Sequence, residues 1–237
     1  MKLLALDTAT EACSAAVWID GVVHAHFEIA GRDHTQRLLP VVAGVLAEAG
    51  LRYSQLDGLV CGVGPGSFAG VRIGVAFAKG VALAHELPVL GVSSLALLAQ
   101  CALSAAGAEQ VLVAIDARMG EVYFQAFERS ADGLARACSE AVVCAAAAVP
   151  VPATRGPWLA VGTGWGTYPS ELRMRLGCEI SHIDGAALPQ AADAFALAAP
   201  VFQAGELLPA DALQPIYLRN RVALTLMEQQ QRRAQNA

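Results

Sequence analysis

Charge is scarce in this sequence of 237 residues: charged side chains make up 16 % and hydrophobic ones 55 %. So apolar a chain is not a disordered one, and it implies large buried area, inside the fold or against a partner. A basic stripe is also missing. The net charge is −5, and the one basic cluster is Arg219, Arg221, Arg232 and Arg233. Proteins that grip nucleic acid unaided carry such a stripe, so any RNA chemistry here would need a partner to make most of the contacts. Histidine pairs are lacking too. His24, His26, His34, His85 and His182 include no H-x-x-x-H or H-E-x-x-H spacing, the spacing that lets two imidazoles share a helix face and a metal ion. His24 and His26 share one strand face and read as an exposed hairpin. Cys13, Cys61, Cys101, Cys138, Cys144 and Cys178 form no C-x-x-C pair; they read as small buried hydrophobes in a reducing compartment. No uninterrupted apolar run reaches the ~18 residues of a membrane span, because Lys79 and His85-Glu86 interrupt the longest. No signal-peptide cleavage pattern follows Leu3-Leu4-Ala5-Leu6-Asp7, and a cytoplasmic location is expected.

What is present reads as an α/β chain. Lys2–Asp7 is a buried strand; residues 13–20 alternate and turn at Asp20-Gly21 into a hairpin partner, Val22–Ile29. Asp33, or its neighbour, caps a helix over residues 34–49 that carries Leu38, Val41, Val42, Val45 and Leu46 and stops at Gly50. A strand at 59–63, a helix at 68–86, a strand at Val89–Val92 and a helix capped by Ser93-Ser94 follow. A meander succeeded by alternating helices and strands predicts a mixed sheet. Beyond a hinge at Gly107, strands are expected at 111–115, 121–127 and Trp158–Val161, and helices at 168–176, 191–203 and 222–233. Residues 141–157 suggest no element, and no internal tandem repeat is visible.

The most informative stretch is Gly62-Val63-Gly64-Pro65-Gly66-Ser67-Phe68-Ala69-Gly70-Val71-Arg72-Ile73-Gly74, a strand–loop–helix. Its glycines permit positive φ and close backbone approach, and amides at a helix N-terminus can hold an anion. It lacks the Gly-Lys-Ser/Thr of a Walker loop. It departs from the dinucleotide fingerprint, with Pro65 interrupting and no acidic residue some 20 positions on. Ser67 superficially resembles a nucleophile elbow, but Ala69 stands where the second glycine belongs. A tight turn that lets a helix pack close to a sheet explains the glycines equally well. Along that helix Gly70, Gly74, Ala78 and Ala82 form a row of small residues. A helix so apolar is buried on both sides, within the chain or against a second helix pair.

Together with Leu6-Asp7-Thr8-Ala9-Thr10, Arg32-x-His34, Leu38-Leu39-Pro40, Asp116-Ala117-Arg118-Met119-Gly120-Glu121-Val122-Tyr123 and Pro215-x-Tyr217-x-Arg219, this loop resembles the TsaB family, also called YeaZ, over almost the whole chain. One departure is Ala69, where the family usually has Thr. The resemblance implies an actin/hsp70-like (ribonuclease H-like) fold with mixed sheets: a first lobe over residues 1–105, a smaller one over 106–215, and a terminal helix in 216–237 packing back on the first. It implies a non-catalytic role in making threonylcarbamoyladenosine in tRNA. TsaD would be the catalyst and heterodimer partner and TsaE a further partner. Contact with tRNA would be indirect, a homodimer would form when the chain is alone, and ATP and metal would sit on the partners rather than as cofactors bound tightly here. TsaD-like proteins carry H-x-x-x-H where this chain has Ser94 and Leu98. A leucine cannot ligate a metal, which counts against a metallopeptidase-like alternative. A kinase-like, nucleotide-binding alternative would use Asp7, Thr8, Gly64, Gly66 and Asp116, although no glycine follows Asp7 as actin-like ATPases require. The ion-paired-turn reading of Asp116, Arg118 and Glu121 competes with it. The expected partner interface is Leu38, Leu39, Val42 and Leu46 on one helix and Phe68, Val71, Arg72, Val75 and Ala78 on the next.

Overall fold

The computed structural model describes residues 1–154, 156–205 and 207–219; the expected helix at 222–233 lies outside them. Five strands form the first sheet: β1 (Lys2–Asp7), β2 (Ala12–Ile19), β3 (Val22–Ile29), β4 (Gly58–Gly62) and β5 (Val89–Val92). Their order is β3-β2-β1-β4-β5; β1, β2 and β3 run antiparallel, while β1, β4 and β5 run parallel. Asp20 and Gly21 both take positive φ, 46° and 100°, which matches the two-residue hairpin the sequence suggests. β1 reads as a continuous apolar run because both of its faces are covered. On one face lie α1 (His34–Glu48) and α2 (Phe68–His85), closing Leu4, Leu6, Leu59 and Cys61 against Leu38, Val42, Val71 and Val75. The opposite face packs Leu3, Ala5 and Val60 against Phe195 and Ala198.

The second sheet comprises β6 (Gln110–Arg118), β7 (Glu121–Arg129), β8 (Ala135–Ala137), β9 (Val142–Ala145), β10 (Trp158–Val161) and β11 (Ile180–Asp184). Its order is β11-β10-β6-β7-β8, with β9 also on β7. The strands β6, β7 and β8 are antiparallel and β6, β10 and β11 parallel. This is the first sheet's connectivity repeated, a duplication of topology that the sequence does not betray. α3 (Ser94–Ala106) covers one face, and α4 (Thr163–Thr167) with α5 (Pro169–Leu176) the other. The architecture is the actin/hsp70-like, ribonuclease H-like fold in two lobes.

Three expectations change. β8, β9 and β11 were not foreseen. β8 is three residues long, β9 lies in the alanine-rich 141–157 stretch, and β11 is an edge strand whose Ser-His core hides its alternation. The lobe boundary moves: α6 (Ala194–Ala204), expected in the second lobe, packs on the first sheet, and Leu208 bridges Val89. The chain therefore returns to the first lobe near Ala191, well before residue 216. α3, expected with the first lobe, lays Leu95, Leu98, Ala99 and Leu103 in the second core. Both helices are apolar all round, so no polar stripe marks which sheet they cover. α2, at 18 residues, is long and apolar enough to span a bilayer by length and composition, contrary to the interruption expected at Lys79. Its inward face nevertheless closes the first core, which makes it a core helix.

Candidate functional site

The glycine-rich loop ends β4 and opens α2. Ser67 caps the helix, its Oγ accepting from the Gly70 N–H at 3.3 Å. The glycines face the β1–β2 turn. A Cβ at Gly66 would stand 2.1 Å from the Ala9 carbonyl oxygen, at Gly70 2.1 Å from that of Thr8, and at Gly74 2.6 Å from Thr8 Oγ1. The Ser67 N–H donates to Ala9 O at 2.6 Å, and Thr8 Oγ1 donates to Gly70 O at 2.7 Å. The loop thus packs against this chain's own turn, and the Ser67 and Gly70 amides are satisfied within the chain.

Asp7 lies under the loop, fully buried. Its Oδ1 accepts from the Ala9 N–H at 3.0 Å, and Oδ2 sits against Gly62 with no hydrogen-bond partner. Burial pushes its carboxyl up to about 7, opposed only in part by the Ala9 N–H. Thr8 is equally buried. Neither Asp7, Thr8 nor Gly64 lines the space between the lobes.

That space is a cleft of about 700 Å³, to which Thr10, Glu11, Arg32, Gly66 and Ser67 contribute from the first lobe and Asp116, Tyr123 and Thr163 from the second. Of the residues suggested for a nucleotide, Gly66 and Asp116 alone reach it. Asp116 is held in a local turn: its carboxylate accepts from the Arg118 N–H at 2.8 Å and from Arg118 Nη1 at 3.0 Å, while Glu121, expected in the same ion-paired turn, pairs with Arg219 instead. Thr163 was missed. Its Oγ1 accepts from the Asp116 N–H at 3.0 Å, and its signal was Gly162-Thr163-Gly164 after β10, the second lobe's echo of a strand–glycine–helix junction.

The TsaD family profile, described as "tRNA N6-adenosine threonylcarbamoyltransferase", matches residues 21–176. The tRNA threonylcarbamoyladenosine biosynthesis protein TsaB of Escherichia coli is 44 % identical over 94 % of this chain and 96 % of its own length. The TsaB of Haemophilus influenzae is 40 % identical over 94 % and 95 %. The chain belongs to the TsaB family. A solved structure titled "YeaZ from Pseudomonas aeruginosa" superposes with a TM-score of 0.85 at 42 % identity, covering 92 % of this chain and 99 % of that one.

At the two positions where TsaD-like proteins carry histidines, this TsaB chain buries Ser94 and Leu98, the latter in the second core. Among the described residues, no three His, Cys, Asp or Glu side chains gather as a metal site would require. His24 instead meets Glu48 at the end of α1, and His26 meets Glu28 within β3. Cys13 and Cys61 are core residues as expected, but Cys138 is exposed.

The suggested interface needs correction. Leu38, Val42, Leu46, Val71, Val75 and Ala78 are buried in the first lobe's own core, so they cannot meet another chain in the folded protein. Leu39, Phe68 and Arg72 remain on the surface. The row Gly70, Gly74, Ala78 and Ala82 faces the sheet, and a second row of small residues, Ala69, Ala76 and Gly80, faces outward beside Leu83. On α1 the small or apolar outward residues include Leu39, Ala43, Gly44 and Ala47, beside the polar Gln36, Arg37 and Glu48.

Proposed function

We propose that this chain is a non-catalytic subunit of the assembly that makes threonylcarbamoyladenosine in tRNA. It supports a TsaD-type transferase and works with a TsaE-type ATPase. The observation that carries this reading is the position of Asp7. This carboxylate, which a kinase-like alternative would use to hold a metal, is buried and does not line the cleft, and the loop glycines pack directly on Thr8 and Ala9. What remains suited to function is the outward face of α1 and α2. Leu39, Phe68 and Leu83 are 59 %, 45 % and 65 % exposed, set among alanines and glycines that allow close helix approach. The TsaD-type partner docks on this face, and a second copy of the chain takes its place when the partner is absent. Contact with tRNA then runs through the partner, consistent with the net charge of −5. The test is a reconstituted transfer assay: product should form only when this chain joins the transferase and the ATPase, and an unchanged yield on omitting it would end this reading.

A kinase-like reading is favoured by one observation, a cleft of about 700 Å³ between the lobes. Calorimetric titration with ATP and Mg²⁺ separates the two. The subunit reading expects no heat of binding from the isolated chain, whereas tight binding would favour a nucleotide-dependent enzyme.

A further inference from the structure

Two sequence motifs stand outside the function proposed above, Asp116–Tyr123 and Pro215-x-Tyr217-x-Arg219, and the fold brings them together. Leu213 is buried in the first core. Three residues on, the Ile216 N–H donates to Val63 O beside the glycine-rich loop, at 2.8 Å. The Tyr217 hydroxyl accepts from Arg72 Nε at 2.7 Å, and the Arg72 guanidinium lies 3.4 Å over the Phe68 ring. Leu218 then packs against the second core. Arg219 donates to the Ala117 carbonyl at 2.9 Å and to the Glu121 carboxylate. Within seven residues the chain is fastened first to one lobe and then to the other, and Ile216, Tyr217, Leu218 and Arg219 all line the cleft.

The receiving end is built for this. The β6–β7 register shifts between Asp116 and Arg118, so Ala117 is the extra residue of a bulge. Arg118, Met119 and Gly120 then take positive φ of 64°, 60° and 82°. Two successive non-glycine residues in that region are uncommon and carry strain. Arg219 accordingly finds a backbone carbonyl and a carboxylate side by side, and its side chain is only 20 % exposed there. Charge-assisted hydrogen bonds in a partly desolvated place are the stronger kind.

We propose that residues 213–219 form a latch that fixes the separation of the two lobes, with Arg219 as the group that holds it shut against Ala117 and Glu121. The three motifs around the cleft are then one mechanical device: Arg72 and Phe68 anchor the latch on the first lobe, and Asp116–Tyr123 receives it on the second. Releasing Arg219 frees the lobes to move about the chain crossings at α3 and Ala191.

The test compares the full chain with R219A, E121A and the double variant by amide exchange and small-angle X-ray scattering. The latch predicts exchange of the Ile216 amide at least tenfold faster in either single variant and a larger radius of gyration. The double variant should be no faster than the faster single one, because the two residues act as a unit. Amides of β1 and β4 should keep their protection, which verifies that the first lobe remains folded. Should R219A lose that protection as well, E121A decides from the other lobe. Ile216 exchange within twofold of the parent in a folded E121A, with an unchanged radius of gyration, would overturn the latch.

Discussion

Asp7 is the residue whose chemistry the fold changes most. It stands at the end of the first strand, where a metal-holding carboxylate is expected in an actin-like ATPase, yet it is sealed beneath Gly62 with one oxygen unpartnered. Its carboxyl is pushed from 3.8 to about 7. Below 3.8 the group is protonated folded or unfolded and contributes no pH dependence. Between 3.8 and 7 the unfolded chain releases a proton that the folded chain keeps, so this site makes stability fall as pH rises, and above 7 the loss levels off. The accumulated difference is roughly 4 kcal/mol at 1.36 kcal/mol per pH unit. Asp7→Asn removes that term. Urea melts of both proteins at pH 4, 5.5 and 8 should find the variant's relative stability rising with pH; a constant difference would mean that Asp7 ionises normally. The sequence made this residue visible as a candidate. Its burial brings its Oδ2 against Gly62, a neighbour distant in sequence that no local pattern announces.

The element on which the subunit proposal rests is α2. Its existence and limits were legible from Ser67 and the stop before Pro88. Its orientation was not, because it carries two parallel rows of small residues with nothing local to rank them. What settles the matter is a contact distant in sequence: Gly70 and Gly74 press against Thr8, while Gly80 has nothing within 4 Å. A pair of substitutions follows from this. Gly70→Ala places a Cβ 2.1 Å from a backbone oxygen and should destabilise the chain by about 2–4 kcal/mol. Gly80→Ala meets open space and should stabilise it by about 1 kcal/mol through helix propensity, while weakening attachment of a partner that packs on that face. Chemical denaturation measures both, and reversed effects would show that the faces are assigned the wrong way round. The same ambiguity hid which apolar positions on α1 face the core. Leu38 and Val42 read as apolar helix positions, and apolar positions at helical spacing are core more often than contact surface.

At the scale of the whole molecule, one topology occurs twice, a strand–glycine–helix junction recurs at Gly62 and Gly162, and a cleft lies between the copies. The two-lobed fold was legible through its motifs. The crossing of α6 back to the first sheet was not, because a helix apolar on every side can cover either one. At the first of these junctions Thr8, Ala9 and the glycines pack directly on one another. We propose that Asp7 is dispensable and that the outward surface of α1 and α2 is the part that acts. Both halves of that claim meet in the reconstituted transfer assay run with Asp7→Asn and with Ala76→Arg, the latter an exposed position on α2. The account predicts product formation by Asp7→Asn within about twofold of the parent and a loss of at least tenfold with Ala76→Arg, which should melt as the parent does. Loss of transfer in a fully assembled Asp7→Asn complex, with Ala76→Arg unaffected, would contradict it.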